Sequence, residues 1–274
     1  MKERVLIVFG VLAVALSTLG CVCGGIDFGT VRLGEVGAVR GSGNVVEETR
    51  KVSGFTGVEL ATLGNLTIEL GERESLRIEA EDNLLEYFET EVRGETLRIR
   101  TRSGVSLRNR RPINYCLTVK ELGEIVISSS GDVKAPDLEA RRFSVVISSS
   151  GDLEMGDLEA DTLQVRISSS GNMQMRELHA DRIEVTITSS GDLDIAGGEV
   201  EEQDITITSS GAYRARNLES AEAEVHLTSS GSATIRVREY LRANLSSSSD
   251  LHYIGNPEVD KTTTSSGDVE QIGD

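Results

Sequence analysis

The tripeptide Ser-Ser-Gly recurs with its glycine at positions 131, 151, 171, 191, 211 and 231, a spacing of 20 residues each time. Degenerate copies follow at Ser246–Asp250 and Ser265–Asp268. A fixed period of this length excludes helical repeats of roughly 33 to 47 residues and propeller blades of about 40 or more. Leucine-rich repeats share the length, but their Asn/Cys ladder and leucine spacing are absent.

Aligning the repeats on the glycine produces apolar columns. Two places on stand Val133, Leu153, Met173, Leu193 and Tyr213; four places on stand Ala135, Met155, Met175, Ile195 and Ala215. Leu138, Leu158, Leu178 and Leu218 follow, then Ala140, Ala160, Ala180 and Val200. Phe143, Leu163 and Ile183 precede the columns headed by Val145 and Ile147. Apolar and polar residues alternate within each stretch, the period of a half-buried strand, and the parity changes once, marking a corner. A unit this short cannot bury its own inward face. Stacking does so, with like residues superposed and strands paired in parallel about 4.8 Å apart. The expected fold is therefore all-β, a right-handed parallel β-solenoid of roughly ten coils.

By parity the middle serine of each triplet (Ser149, Ser169, Ser189, Ser209, Ser229) and the glycine two places later point inward, the serine hydroxyl bonding to the next coil. The flanking columns face solvent. They include Ser148, Ser168, Thr188 and Thr208 on one side, and Ser150, Ser170, Ser190 and Ser210 on the other.

Residues 41–120 read as an irregular start of the same stack, and 121–274 as its regular part. Gly43-Asn44 and Gly64-Asn65 look like early copies, with Gly104 a third. Asn83–Thr90 has few β-branched residues and is expected to form a short helical cap over the open end. Charge changes at the same boundary. Residues 1–120 hold 16 basic and 16 acidic side chains, so residues 121–274 carry the whole net charge of −17. Such a balance argues against nucleic acid as a partner, because phosphate binding needs a basic face.

The first 23 residues read as an export signal or anchor, and residues 24–40 as a tether. Lys2 and Arg4 precede an uncharged stretch, Val5–Ile26. Thr18-Leu19-Gly20-Cys21 is similar to a lipobox in which Cys21 receives the lipid, although Thr18 stands where leucine is expected. The same stretch is long enough to span a bilayer, and simple secretion is the third reading. All three place the remainder outside the cytoplasm.

Gly41-Ser-Gly-Asn-Val45, Val52-Ser-Gly-Phe55, Val58-Glu-Leu60 and Gly64-Asn-Leu-Thr-Ile68 resemble the opening of the putative auto-transporter adhesin, head GIN domain family. Tyr253-Ile-Gly-Asn-Pro257 followed by Ser265-Ser-Gly-Asp-Val269 is similar to that family's closing motif. Members often read Gly-Ser-Gly where this chain reads Ser-Ser-Gly. The resemblance covers about residues 41–272. It implies an exported, envelope-associated β-helical protein with no catalytic residues.

Two surfaces are candidates for binding. The first joins the outward hydroxyl columns to Asp152 and Asp192, a polar face suited to a glycan or another cell-surface component. Turn chemistry is the competing explanation for its aspartates. The second is a basic docking patch, Arg98, Arg100, Arg102, Arg108, Arg110 and Arg111, with no acid within the run. It would suit anionic lipid near the tether or the acidic shaft of a second copy, which makes a homo-oligomer conceivable. The three histidines fall at unrelated repeat positions. No Gly-x-Ser-x-Gly, paired cysteines or metal-spaced histidines occur. No metal site and no cofactor is expected, and an adhesin-like or scaffold module is favoured over a polysaccharide-processing enzyme.

Overall fold

Superposed apolar columns become continuous files in the structure, a computed structural model that describes residues 38–274. Val145 lies opposite Val165, Val165 opposite Val185 and Val185 opposite Ile205, all in parallel register. Ile147, Ile167, Ile187 and Ile207 form the neighbouring file, every member fully buried. The expected alternation of inward apolar and outward polar residues holds through most of the strands of residues 124–245, breaking at the corners and at the buried Gln203 and Ser220. Strands make up 65% of the described residues, and the β-solenoid has about 8 turns. That is fewer than expected, because much of the first part is antiparallel.

Gly57–Ala61 and Asn65–Leu70 form a coil with neighbours on both sides. Glu124–Ile127 and Asp132–Ala135 pair with it from the direction of the shaft. Thr96–Thr101 and Asn114–Val119 pair with it from the other. The chain thus builds the outermost coil second, and only then returns to start the shaft. Antiparallel strands extend this base. Val45–Arg50 lies on Ser75–Glu81, which lies on Asn114–Val119, and Phe88–Arg93 lies on Thr96–Thr101.

Three expectations for the base are corrected by this pairing. Asn65 stacks on Asn114, so Gly104 is no repeat position; it sits in a turn with φ +79°. Val45, after Gly43-Asn44, pairs antiparallel with Glu81 and does not begin a coil. The helical cap contracts to one 3-10 turn, Leu85–Tyr87, and Phe88 already begins a strand. Charged outward residues on the antiparallel strands discourage further pairing at the edge.

The middle serines are also corrected. Ser149, Ser169, Ser189 and Ser209 are half-buried, Ser229 is exposed with φ +65°, and the fully inward place of each triplet belongs to the glycine. A Cβ on Gly171 would lie 2.3 Å from the carbonyl oxygen of Gly151, and one on Gly151 would lie 2.1 Å from that of Gly131. Glycine is required because neighbouring backbones approach where a side chain would otherwise stand. Gly171→Ala is therefore expected to cost about 2 kcal/mol through overpacking. Gly197→Ala, whose nearest neighbour would be 3.9 Å away, should stay within about 0.5 kcal/mol of the parent. Urea midpoints of the two variants give the comparison, and equal losses would contradict the close-approach argument.

Near the far end the period shortens from 20 to 18 residues, between Gly231, Ser249 and Gly267. The ladder of Ala212–Leu227 on Ser232–Leu245 shifts register twice to absorb the difference. Polar groups enter the core there. Gln203 occupies the place of Phe143, Leu163 and Ile183, receives a hydrogen bond from the Tyr213 hydroxyl (2.8 Å) and donates to Ser220 Oγ (3.0 Å). Ser220 donates in turn to the Arg236 carbonyl. All three side chains are fully buried, so the network satisfies what the irregular ladder exposes. Burial without a charged partner pushes the Tyr213 hydroxyl far above the usual tyrosine pKa.

Candidate binding surface

The outward hydroxyl columns are present as expected. Ser148, Ser168, Thr188 and Thr208 are exposed, and so are Ser150, Ser170, Ser190 and Ser210. Regularity comes from the backbone: the amides of Ser148, Ser168, Thr188 and Thr208 donate to the isoleucine carbonyls of the preceding coil at 2.9–3.0 Å. Parallel stacking then repeats each hydroxyl every ~4.8 Å. The result is two files of short donor-acceptor groups flanking the half-buried middle serines.

Asp132, Asp152, Asn172 and Asp192 run beside these files, and their role is specific. Oδ1 of Asp132 accepts the amide of Asp152, Oδ1 of Asp152 that of Asn172, Oδ1 of Asn172 that of Asp192, and Oδ1 of Asp192 that of Ala212, all at 2.8–3.0 Å. Turn chemistry at this corner therefore runs between coils and not within one residue's own turn. Each carboxylate needs only one oxygen for this task. The second oxygen of Asp192 is taken by Arg214 at 3.0 Å.

Arginines tie neighbouring coils across the outer faces. Arg176 reaches Asp157 (2.5 Å) and Asp137 (2.8 Å) and so spans three coils. Its guanidinium holds the Asp157 carboxyl below the ordinary aspartate range. Arg182 joins Glu184, Glu202 and Asp204. These ties offset the repulsion that columns of like charge would create. A second corner stays acidic: an open groove along Ala140, Ala160 and Ala180 is lined by Glu139, Glu159, Asp161, Asp181, Glu199 and Glu201, with Arg141 and His179 among them.

The basic run divides. Arg98 pairs with Glu59 at 3.1 Å, Arg100 with Glu89 at 2.7 Å, and Arg102 with Glu89 at 3.3 Å while lying over the Tyr87 ring. The acids missing from the run arrive across strands. Arg108, Arg110 and Arg111 are exposed and have no such partner among the described residues. The six arginines therefore do not form one patch.

Sequence reasoning missed Glu81. Its side chain is fully buried, and its carboxylate accepts the amides of Gly43 (2.6 Å) and Arg110 (2.8 Å), with that of Arg111 at 3.5 Å. A Cβ on Gly41 would lie 2.0 Å from the same carboxylate. Next to it Asp82 accepts from Ser42 and Asn44, and Asn83 from the Ser42 amide. The Gly41-Ser-Gly-Asn44 motif is thus a loop wrapped around an acidic clamp. The available signal was that motif together with Glu81-Asp-Asn83, far apart in sequence.

Cys21 and the uncharged stretch lie outside the described residues. Among the described residues no helix is long and apolar enough to cross a membrane, and no cluster of three or more His, Cys, Asp or Glu is placed to hold a metal.

A family model described as putative auto-transporter adhesin, head GIN domain, matches residues 54–176 and 156–257. Solved structures agree in fold. A putative lipid binding protein from Parabacteroides distasonis superposes with a TM-score of 0.80 at 24% identity, over 86% of this chain and 100% of its own. A putative adhesin from Parabacteroides merdae gives 0.80 at 22% identity, over 86% and 99%. Another putative adhesin, from Bacteroides fragilis, gives 0.63 at 18% identity, over 86% and 98%. No curated protein matches the chain.

Proposed function

The chain belongs to the putative auto-transporter adhesin, head GIN domain family, and on that premise we propose that it is an exported, envelope-anchored adhesin-like module, non-catalytic, which binds a glycan-bearing surface through its polar ladder face. The family supports an adhesin-like role; glycan as target and anchoring at the N-terminus are our own reading. The observation that carries it is the pair of exposed hydroxyl files beside the Asp132–Asp192 ladder. Sugars are recognised by arrays of short donors and acceptors on a rigid support, and many weak, evenly spaced contacts add by avidity. Anchoring at Cys21 or through Val5–Ile26 would hold that face outside the cytoplasm.

The test is binding of the full chain to a glycan array and to whole cells. Replacing Ser150, Ser170 and Ser190 together by arginine leaves the inward files untouched, so melting should stay close to the parent. Binding should fall by about tenfold or more, which corresponds to ~1.4 kcal/mol. Undiminished binding would remove the hydroxyl face from the reading. Turnover of a polysaccharide, lost on changing a single acid, would replace it with the enzyme reading.

A further inference from the structure

We propose that the base of the solenoid docks, through Arg40, Arg108, Arg110 and Arg111, on the anionic phospholipid headgroups of the membrane that holds the N-terminal segment. The proposal rests on the anchored reading above and adds a second, non-covalent contact to it.

Arg40 and Arg108 are register partners in the short parallel ladder Val39–Arg40 on Leu107–Arg108, so their side chains leave on one side. Arg110 and Arg111 follow in a loop whose amides Glu81 holds. All four are exposed, and none has a carboxylate partner among the described residues. Arg98, Arg100 and Arg102 differ in being neutralised across strands. The four guanidiniums are therefore fixed at their backbones and open at their tips. Guanidinium forks match phosphate geometry and give charge-assisted hydrogen bonds.

The position of the cluster selects the partner. Only eleven residues separate Val5–Ile26 from Ala38, the first described residue. Fully extended, a segment of that length reaches at most ~40 Å. An anchored chain thus keeps its arginines within reach of the headgroups at high effective concentration. The acidic shaft faces away: the Gly57–Ala61 coil separates the outermost coil from Glu124–Ile127. Two strand spacings, ~10 Å, are already comparable to a Debye length in physiological salt. Among the described residues, the acids hydrogen-bonded to these segments are Glu81, consumed in its clamp, and Asp82, bonded to Ser42 and Asn44. Setting them against the four arginines leaves an excess of about two positive charges, and a headgroup surface should favour docking by about 30-fold (~2 kcal/mol).

The chain has no tryptophan, so Ser106→Trp, at an exposed position beside the cluster, supplies a single fluorescent donor. The full chain is reconstituted in lipid nanodiscs carrying dansyl-labelled headgroups, of phosphatidylcholine alone or with phosphatidylglycerol. The expected result is a docked population about 30-fold higher on the anionic discs, lost in about 0.5 M salt. It should also be lost when Arg40, Arg108 and Arg111 become glutamine, with melting unchanged. Equal transfer on both discs, with the chain retained, would overturn the docking proposal and leave the anchor standing. Release of the chain from the discs would overturn the anchored reading and the docking with it. Dimers that dissociate in the glutamine variant, without any lipid dependence, would give the cluster to a second copy's acidic shaft instead.

Discussion

Ile167→Asp should unfold the middle of the shaft, with a loss of at least ~5 kcal/mol and a melting transition displaced far below that of the parent. Ile167 is fully buried, with Ile147 and Ile187 as its register partners. A carboxylate there must either stay charged in an apolar file or take up a proton at neutral pH, and both are costly. The excised side chain also removes one layer of a file in which each residue packs on its neighbours above and below. Stability in such a stack is close to a sum of coil terms and nearest-neighbour interfaces. Breaking one central coil therefore removes two interfaces and leaves two shorter stacks. Arg166→Thr is the control: position 166 is exposed on the same strand and should change stability by no more than about 0.5 kcal/mol. Hydrogen exchange would show lost protection in the strands on both sides of Ile167. An Ile167→Asp protein with parent-like melting would mean that the files are wrongly assigned.

The shaft was legible in the sequence because each of its residues meets the same position in the next coil, so period alone determines the partner. Val145 names Val165, and Ser148 names Ser168. The base lacks that property. Val45 meets Glu81 and Glu89 meets Arg100 through antiparallel turns whose lengths obey no period, so Gly43 and Gly104 were misplaced as repeats. The same limit hid the acids that neutralise Arg98, Arg100 and Arg102, since they come from other strands. Gln203 was visible as a break in an apolar column. Its partners were not, because they depend on a register shift that begins only after Arg214. The outward face of the candidate site followed from parity. Its aspartate ladder did not, because parity says which way a side chain points and not which amide it receives.

Glu81→Ala is expected to loosen the base at a cost of about 3 kcal/mol while leaving the shaft intact. A buried carboxylate is tolerated only when its hydrogen bonds replace water. Here they come from Gly43 and Arg110, with Arg111 at the limit of range, and removing the acceptor leaves these donors unpaired in a space water does not readily fill. Glu81→Gln should recover only part of the loss, because an amide presents donors of its own to backbone N–H groups. The pH dependence gives an independent reading. Burial favours the neutral acid, but the backbone donors and the Arg110 charge outweigh it and hold the Glu81 carboxyl below its ordinary value. A group whose folded pKa is depressed stabilises fully above its unfolded value, about 4.3, and loses that contribution as pH falls through the folded pKa. Acid should therefore release the Gly41–Asn44 loop, and with it the ladder that carries Arg40 and Arg108. Amide exchange at Gly43, Arg110 and Arg111 measures this directly. Protection at these three should fall on acidification in the parent and be low at every pH in Glu81→Ala, while amides of the Val165 and Val185 strands stay protected. Equal protection in parent and variant at neutral pH would mean that the clamp does not hold the base, and that the short ladder with Leu107–Arg108 suffices.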